Sequence, residues 1–291
     1  MEAFEAYVKA YLTIMNPRRD KNHWTLIYFD GFAGNGTRTD AEEEDELQFT
    51  ADLFGEEVSK DELYVYRGAA ERVVRLGEQG IRGFDKYYFI EKKKANCDAL
   101  KAHLSQLSFE GTPYFLPWDA NKAINGLAKR MRENKGCKAL VLIDPFGMQI
   151  NWTPIEALKG LDVDFWILIP TGVIVNRLLR RNNVVEKGLL HPGRLKDFFG
   201  LTEQELKDFF YEEVKEETLF GDERTKNVKL ADPIQRIAEL YIQRLRLVFK
   251  HVTPRARVLE SENGRPLFHF VFASNNATGE KIAQYIISNK K

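Results

Sequence analysis

The fold of this chain is decided by the stretch Leu26-Ile27-Tyr28-Phe29-Asp30-Gly31-Phe32-Ala33-Gly34-Asn35-Gly36. Its first four residues are apolar and predict a buried strand, and three glycines follow within six residues. Because glycine has no Cβ, such a junction lets the backbone approach a ligand closely. No Gly-Lys-Ser/Thr follows, which excludes a P-loop, and the glycine spacing is not the dinucleotide fingerprint. A glycine turn that merely reverses the chain is the alternative.

Further apolar runs alternate with helical patterns downstream of this loop. The predicted strands lie at 86–90, 113–116, 139–143 and 164–169. This alternation is typical of a parallel sheet covered by helices on both faces. Two more strands, at 257–260 and 267–274, flank a turn containing Asn263-Gly264 and predict a hairpin. We therefore expect a Rossmann-like α/β fold with a seven-stranded, mostly parallel sheet and an antiparallel C-terminal hairpin strand.

The chain also contains segments that do not show this alternation of strands and helices. Residues 2–15 have the apolar spacing of an amphipathic helix, which Pro17 is expected to end. The acidic stretch at 40–59 predicts a solvated insertion, with a lid over a ligand as the alternative. Residues 173–228 are rich in charge and aromatics and predict an inserted helical subdomain. The α/β domain would then comprise 1–172 and 229–291.

Composition limits the class of protein and its compartment. The 43 basic residues balance the 43 acidic ones, which argues against a wholesale polyanion binder but leaves room for a local basic face. Cys97 and Cys137 have no metal-ligand or disulfide spacing, which indicates a reducing cytoplasm and no metal site. The longest apolar run, 165–175, is too short to span a bilayer, so we expect no membrane association.

A carboxylate follows each of four successive predicted strands. These residues are Asp30, Glu91, Asp119 and Asp144. The carboxyl ends of parallel strands meet at one edge of the sheet, where α/β proteins bind ligands. Because neighbouring carboxylates repel one another, four at one edge favour a cationic ligand with hydroxyl and amine donors. Each also has a simpler interpretation: Asp119 and Glu91 could cap helices, and Asp144-Pro145 could be a plain turn.

The opening loop resembles the first motif of class I S-adenosylmethionine-dependent methyltransferases, in the form D-x-F-A-G-x-G. The resemblance implies that Glu91 accepts the ribose hydroxyls of the cofactor, and that Asp119 and the backbone of Ala120 bind the adenine. It also implies a set of residues around the methionine moiety, formed by Asp30 and the backbones of Phe32, Ala33, Gly34 and Gly36.

The stretch Asp144-Pro145-Phe146-Gly147 resembles the Asp/Asn-Pro-Pro-Tyr/Phe motif of amino-methyltransferases. One proline is missing, which brings it closer to the tRNA guanine-N2 dimethyltransferases. The resemblance implies catalytic roles for Asp144, Pro145 and Phe146, in which Asp144 orients the target amine and Phe146 stacks on the base. Such positioning aims the nitrogen lone pair at the methyl group in line with its leaving sulfur.

Arginines cluster after the fifth predicted strand, at Arg177, Arg180 and Arg181. They indicate contact with nucleic-acid phosphates, and a solvated face is the alternative interpretation. The sequence thus predicts a methyltransferase that acts on an amino group, with a nucleic-acid base, RNA or DNA, as the favoured acceptor.

Nearly the whole chain, from Trp24 to Ile287, resembles the three-Cys-motif partner (TcmP) proteins, a methyltransferase-like prokaryotic family. The matching pieces are 29–36, 89–92, 142–147, 198–200, 266–268 and 272–274. Asn35, where a proline is common, and the acidic insertion at 40–59 depart from that pattern. The resemblance implies a partner protein with three cysteines spaced for an iron–sulfur cluster. It therefore supplies the alternative function, a non-catalytic partner or scaffold.

Overall fold

The computed structural model describes residues 2–36, 68–145, 147–172, 174, 192–217, 223–229, 232–261 and 264–289. The acidic insertion at 40–59, Phe146, and the arginine cluster Arg177, Arg180 and Arg181 lie outside the described residues.

The strands are, in chain order, β1 (Thr25–Asp30), β2 (Lys86–Ile90), β3 (Thr112–Leu116), β4 (Cys137–Ile143), β5 (Val163–Ile169), β6 (Tyr211–Glu217), β7 (Glu223–Lys229), β8 (His251–Val252), β9 (Arg257–Glu260) and β10 (Pro266–Ser274). The helices are α1 (Glu2–Asn22), α2 (Ala69–Val74), α3 (Lys94–Leu104), α4 (Ala120–Glu133), α5 (Trp152–Glu156), α6 (Pro192–Phe199), α7 (Glu203–Phe210), α8 (Pro233–Leu245) and α9 (Ala277–Asn289).

The main sheet has the strand order β3-β2-β1-β4-β5-β10-β8, with β9 also paired to β10. Strands β1 to β5 are mutually parallel, and β10 is antiparallel to β5, β8 and β9. The predicted mostly parallel α/β sheet with an antiparallel C-terminal hairpin is confirmed, with eight strands rather than seven. The order reverses between β1 and β4, which places a crevice outside the carboxyl ends of these two strands.

Both faces of the sheet are buried, as the continuous apolar strands predict. On β1, Ile27 and Phe29 belong to one core cluster, whereas Leu26 and Tyr28 belong to another on the opposite face. Helices α4 to α8 contribute to the first cluster, and α1, α2, α3 and α9 contribute to the second. Strand β5 is buried at every position, so it has no solvent-facing side, and six of its seven residues are apolar, with Asp164 as the exception.

Helix α1 does not end at Pro17, as the sequence predicted, but continues to Asn22. Side-chain contacts with a distant loop hold its last turn. The Asn16 amide donates to the carbonyl of Arg82 at 2.7 Å, and the buried Arg19 donates to the carbonyl of Gly83 at 2.7 Å. These contacts offset the backbone hydrogen bond that proline cannot make.

The prediction for residues 173–228 holds for helices α6 and α7 but not for the residues after them. Strands β6 and β7 pair along seven residues each as an antiparallel ribbon. Their sequences are dominated by charged residues, so they carry no apolar period-two signal. Phe198, Phe199 and Phe210 of the two helices are buried in the same cluster as β4 and β5, and Phe209 is partly buried against it. The division into an α/β domain and an inserted subdomain stays a prediction.

Gly200, just after α6, offers a test of this packing. Its φ is +64°, and a Cβ there would lie 2.2, 2.4 and 2.8 Å from three atoms of the buried Trp152. We expect Gly200→Ala to lower the free energy of unfolding by about 3 kcal/mol or more, because overpacking and backbone strain act together. In urea unfolding, the matched variant Gly126→Ala should be neutral or stabilising, since Gly126 is an exposed residue of α4 and a Cβ there meets nothing within 4 Å. Equal stabilities of the two variants would contradict the predicted clash.

Candidate functional site

The four sequence-predicted carboxylates lie at the carboxyl edge of the main sheet. Asp30 is the last residue of β1, and Glu91 directly follows β2. Asp144 directly follows β4, and Asp119 lies three residues beyond β3, immediately before α4. The topology therefore brings them to one side of the sheet, around the point where the strand order reverses.

Asp30 is the most enclosed of these residues, with 2% of its surface exposed. The hydroxyl of Tyr28 donates to its Oδ2 at 3.2 Å, and the amide of Phe32 donates to its Oδ1 at 3.2 Å. Burial raises the pKa of Asp30 to about 7, although these hydrogen bonds oppose the shift. Asp30 is therefore poised to change charge near neutral pH, and a nearby cation would favour its ionised form.

This pKa predicts a pH-dependent stability. Because Asp30 holds its proton up to about pH 7 in the folded state and titrates near 3.8 when unfolded, the unfolding free energy falls as pH rises between these values. Asp30→Asn removes this term while keeping an oxygen for the Phe32 amide. Between pH 5 and pH 8 we expect the wild type to lose about 2 to 3 kcal/mol more than the variant in urea unfolding. If the unfolding free energies of the wild type and the variant changed identically with pH, the raised pKa assigned to Asp30 would be contradicted.

The glycine loop after β1 is anchored on both sides by backbone hydrogen bonds. The amide of Gly31 donates to the carbonyl of Leu142 at 2.9 Å, and the amide of Ala33 donates to the carbonyl of Ile90 at 2.9 Å. A Cβ on Gly31 would lie 2.6 Å from Ile143 Cδ1, so glycine permits the close approach of the loop to β4.

The tip of the loop adopts backbone angles that favour glycine. Gly34 and Gly36 have φ values of +65° and +80°. A Cβ on Gly36 would lie 2.9 Å from Leu100 Cδ1 of α3, whereas a Cβ on Gly34 would meet no described atom within 4 Å. None of the residues that the structure describes therefore fills the space beside Gly34.

Glu91 connects this loop to the start of α3. Its carboxylate accepts the amide of Lys93 at 2.8 Å and also the amide of Gly34. Burial raises the pKa of Glu91, and the two amides and the charge of Lys93 counteract this shift. Lys93 is the N-cap of α3 and has no side-chain cap, so the Glu91 contact lies just before the helix, and the same side chain also fixes the glycine loop.

The loop amides predicted to hold a ligand are largely used within the protein. Those of Phe32, Ala33 and Gly34 donate to Asp30, Ile90 and Glu91 respectively. Among the hydrogen bonds of the described residues, the carbonyl oxygens of these three loop residues accept none. The loop thus offers acceptors, which suit an ammonium group.

Asp119 is the N-cap of α4, as its simpler interpretation predicted. Its Oδ1 accepts the amide of Asn121 at 2.9 Å, and its Oδ2 lies 3.6 Å from Lys92 Nζ. The neighbouring Trp118 is 45% exposed, and the buried Ala120 begins the helix. An exposed indole beside a carboxylate gives this part of the edge both a stacking surface and an acceptor.

Asp144 and the buried Pro145 follow β4, and the charge of Asp144 contributes to the raised pKa of Tyr28. Asp144 thus lies near the Tyr28–Asp30 pair. Asn121 ties the chain beyond it to α4: its Nδ2 donates to the carbonyl of Gln149 at 2.9 Å, and its Oδ1 accepts the amide of Asn151 at 2.7 Å.

Sequence reasoning missed Tyr28 and Asn121 as parts of this site. Tyr28 lies in an apolar run that predicts only a core strand, and Asn121 lies on a helix without a motif. His269 lies on β10, opposite Ile169 of β5. It is 4% exposed, its Nδ1 lies 2.8 Å from Thr171 Oγ1, and burial lowers its pKa to about 4.

The described residues contain no group of three or more His, Cys, Asp or Glu side chains that could hold a metal ion. No helix among them has the length and apolar character needed to cross a membrane. Cys97 and Cys137 are both buried and free.

Comparison with known proteins gives a likeness in fold. No protein-family model matches the chain, and no curated protein matches it. Among solved structures, it is similar to Trm1 from Pyrococcus horikoshii in complex with S-adenosyl-L-methionine, with a TM-score of 0.44 and 11% sequence identity. The match covers 97% of this chain but 57% of that one, so the chain spans somewhat more than half of the length of Trm1.

Proposed function

We propose that this chain is an S-adenosylmethionine-dependent methyltransferase that acts on an amino group, with a nucleic-acid base as the acceptor. One observation carries the proposal: Asp30 and Glu91 both accept hydrogen bonds from amides of the glycine loop, at the point where the strand order reverses. This arrangement gives the crevice an acidic character and a row of acceptor oxygens, which fit a cationic ligand with hydroxyl and ammonium donors.

The cofactor's groups find matching residues along this edge. Glu91 is a carboxylate that can accept both ribose hydroxyls, and Asp119 with the exposed Trp118 can bind and stack on the adenine. The loop carbonyls accept from the methionine ammonium, and the charge of Asp30 favours the sulfonium and ammonium cations. S-adenosylmethionine supplies an activated methyl group on positively charged sulfur.

In the proposed reaction Asp144 accepts a hydrogen bond from the acceptor's amino group and directs the nitrogen lone pair toward the methyl carbon. When bound, S-adenosylmethionine would supply the methyl group to this nitrogen as an electrophile, and the proton that the amine loses would leave along its hydrogen bond to Asp144. Phe146 is proposed to stack on the base, and Pro145 to fix the turn that carries Asp144. Positioning of this kind supplies much of the rate of such a transfer.

A screen of acceptors tests this function. The protein is incubated with methyl-tritiated S-adenosylmethionine and, in separate reactions, transfer RNA, ribosomal RNA, double-stranded DNA and bulk protein. We expect nuclease-sensitive incorporation into one of the nucleic acids, and label in an exocyclic amine after digestion to nucleosides. Label that resists nuclease or appears only in protein contradicts the proposed acceptor.

The alternative function is a partner or scaffold role beside a three-cysteine iron–sulfur protein, as the family resemblance implies. Cofactor binding without transfer to any acceptor, together with co-purification of such a protein, would favour it. The intact Asp144 supports the enzyme, because a scaffold has no use for an amine-orienting carboxylate. A cytoplasmic location and phosphate contacts by Arg177, Arg180 and Arg181 belong to the same proposal.

A further inference from the structure

We propose that Asn121 is a positioning residue that holds the acceptor side of the candidate site, around Asp144, in a fixed place relative to its adenine side, around Asp119. This role rests on the proposed function, since Asn121 would act on methyl transfer through Asp144. Two hydrogen bonds between helix α4 and the chain segment that follows Asp144 carry the proposal.

Asn121 lies in the first turn of α4, two residues after Asp119. Its backbone amide donates to Asp119 Oδ1 at 2.9 Å, so both residues are fixed in one turn. Its side chain contacts the segment beyond Asp144: Nδ2 donates to the carbonyl of Gln149 at 2.9 Å, and Oδ1 accepts the amide of Asn151 at 2.7 Å. A single side chain therefore connects the proposed adenine-binding turn to the chain after β4.

The strand order sets the distance that this connection spans. Asn121 follows β3 and Asp144 follows β4, and strands β2 and β1 lie between these two in the sheet. Because neighbouring strands lie about 4.8 Å apart, the carboxyl ends of β3 and β4 are about 14 Å apart. The chain from Asp144 to Asn151 therefore extends from the acceptor side of the crevice to the side of Asp119. Strand β4 fixes one end of this stretch, and Asn121 fixes the other.

The far end of this stretch depends on Asn121 for directional contacts. Among the hydrogen bonds of the described residues, the carbonyl of Gln149 and the amide of Asn151 have no partner besides Asn121. Asn151 is the N-cap of α5, and its own side chain makes no capping bond. Met148 and Ile150 are buried, but hydrophobic burial is non-directional and does not fix where a segment lies along a neighbouring helix.

An asparagine suits this role because its side-chain amide combines N–H donors with a carbonyl acceptor, as a backbone peptide does. It contacts a carbonyl and an amide two residues apart, as the peptide group of a neighbouring strand would. Asn121 is half-buried, so water can replace both bonds when its side chain is removed. We therefore expect the loss of Asn121 to displace the segment rather than to unfold the protein.

Hydrogen exchange of the full chain, without cofactor or acceptor, tests the contact itself. We expect the amide of Asn151 to exchange about 3-fold to 10-fold faster in Asn121→Ala than in the wild type, because it has lost its acceptor. Asn125→Ala is the matched control: Asn125 is exposed, lies about one turn further along α4, and makes no side-chain hydrogen bond to a described residue. Equal exchange in Asn121→Ala and this control would overturn the proposal.

Single-turnover methyl transfer, with the acceptor identified by the screen, tests what the contact does. We expect Asn121→Ala to lower the rate about 10-fold to 100-fold, because a displacement of about 1 Å at a reacting group can cost about 100-fold. Its affinity for S-adenosylmethionine should stay within about 2-fold of the wild type, since Asp119 and the capping amide remain. Asn125→Ala should match the wild type in both measurements.

A double-mutant cycle with Asp144→Ala shows whether Asn121 acts through Asp144. If it does, Asn121→Ala should cost less than about 3-fold in the Asp144→Ala background, because no carboxylate is left to misplace. A general structural role predicts the same loss in both backgrounds, and that result would overturn the proposal.

The melting temperature of Asn121→Ala should lie within about 5 °C of the wild type. If it falls further, Asn121→Asp replaces it in the rate measurement and the cycle. An acidic residue is favoured in the first turn of a helix, and aspartate still accepts the amide of Asn151 but cannot donate to Gln149. Its rate should then fall by about 3-fold or more, as the loss of one hydrogen bond predicts.

Failure of this role and failure of the proposed function give different results. A wild type that transfers methyl groups to no acceptor contradicts the proposed function, and the role of Asn121 with it. An active wild type together with an equally active Asn121→Ala variant overturns the role of Asn121 alone.

Discussion

Replacing Glu91 with alanine is expected to weaken S-adenosylmethionine binding by about 100-fold or more. The change removes a carboxylate proposed to accept two ribose hydroxyls, and each charge-assisted hydrogen bond is worth about 1.5 to 3 kcal/mol. It also removes the acceptor of the Gly34 amide, which holds the tip of the glycine loop toward β2. The expected loss of affinity therefore has two causes: the missing hydrogen bonds to the ribose, and a glycine loop that is no longer held in place.

Isothermal titration measures this effect, and Glu133→Ala is the matched control. Glu133 is an exposed glutamate at the end of α4, at the far end of that helix from Asp119. We expect this control to bind the cofactor as the wild type does. Unchanged cofactor heat in Glu91→Ala would remove Glu91 from the site, and no heat with the wild type would contradict the cofactor itself.

Replacing Asp144 with alanine should lower the single-turnover rate of methyl transfer by about 1,000-fold, while the affinity for S-adenosylmethionine changes little. The carboxylate is proposed to act on the acceptor amine and not on the cofactor, so its loss affects the transition state more than cofactor binding. Removal of one preorganised polar group from an active site costs about 100-fold to 1,000-fold in rate, and misalignment of the amine adds to this.

The transfer is followed with tritiated cofactor and the acceptor identified by the screen. Asp98→Ala removes an exposed carboxylate on α3 that pairs with Lys94, and it should keep full activity. Asp144→Asn should retain part of the activity, because the amide oxygen can still accept from the amine. Full activity in Asp144→Ala would refute its assigned role, whereas a parallel loss of cofactor affinity would indicate a binding role.

The sheet could be predicted from the sequence because the pattern that marks each strand is local. Each parallel strand is a short apolar run bounded by polar or glycine residues, and β4 and β5 are buried almost throughout. The same logic placed the four carboxylates at one edge, since it needs only the strand ends and the parallel direction.

Features that depend on distant contacts could not be predicted. Helix α1 passes Pro17 because Asn16 and Arg19 contact the carbonyls of Arg82 and Gly83, more than sixty positions away. The raised pKa of Asp30 comes from burial, which no motif states. Charged strands β6 and β7 have no apolar period, so the pattern could not identify them.

The candidate site was predicted in its residue types but not in its internal bonding. The motif identified Glu91 and Gly34 separately, whereas the structure joins them through a hydrogen bond. Asp119 had two interpretations, and the structure shows the N-cap while leaving its Oδ2 facing Lys92. A single sequence cannot show whether such a residue caps a helix, binds a ligand or does both, because each role needs the same residue at the same position.

The central claim is that S-adenosylmethionine occupies the crevice at the carboxyl ends of β1, β2 and β4. A crystal structure of the protein grown with the cofactor tests it most directly. We predict electron density there, with ribose hydroxyl oxygens about 2.5 to 3.0 Å from the Glu91 carboxylate and the methyl group facing Asp144. A fully ordered crevice without cofactor density at saturating concentration, or a cofactor bound elsewhere, would contradict the claim.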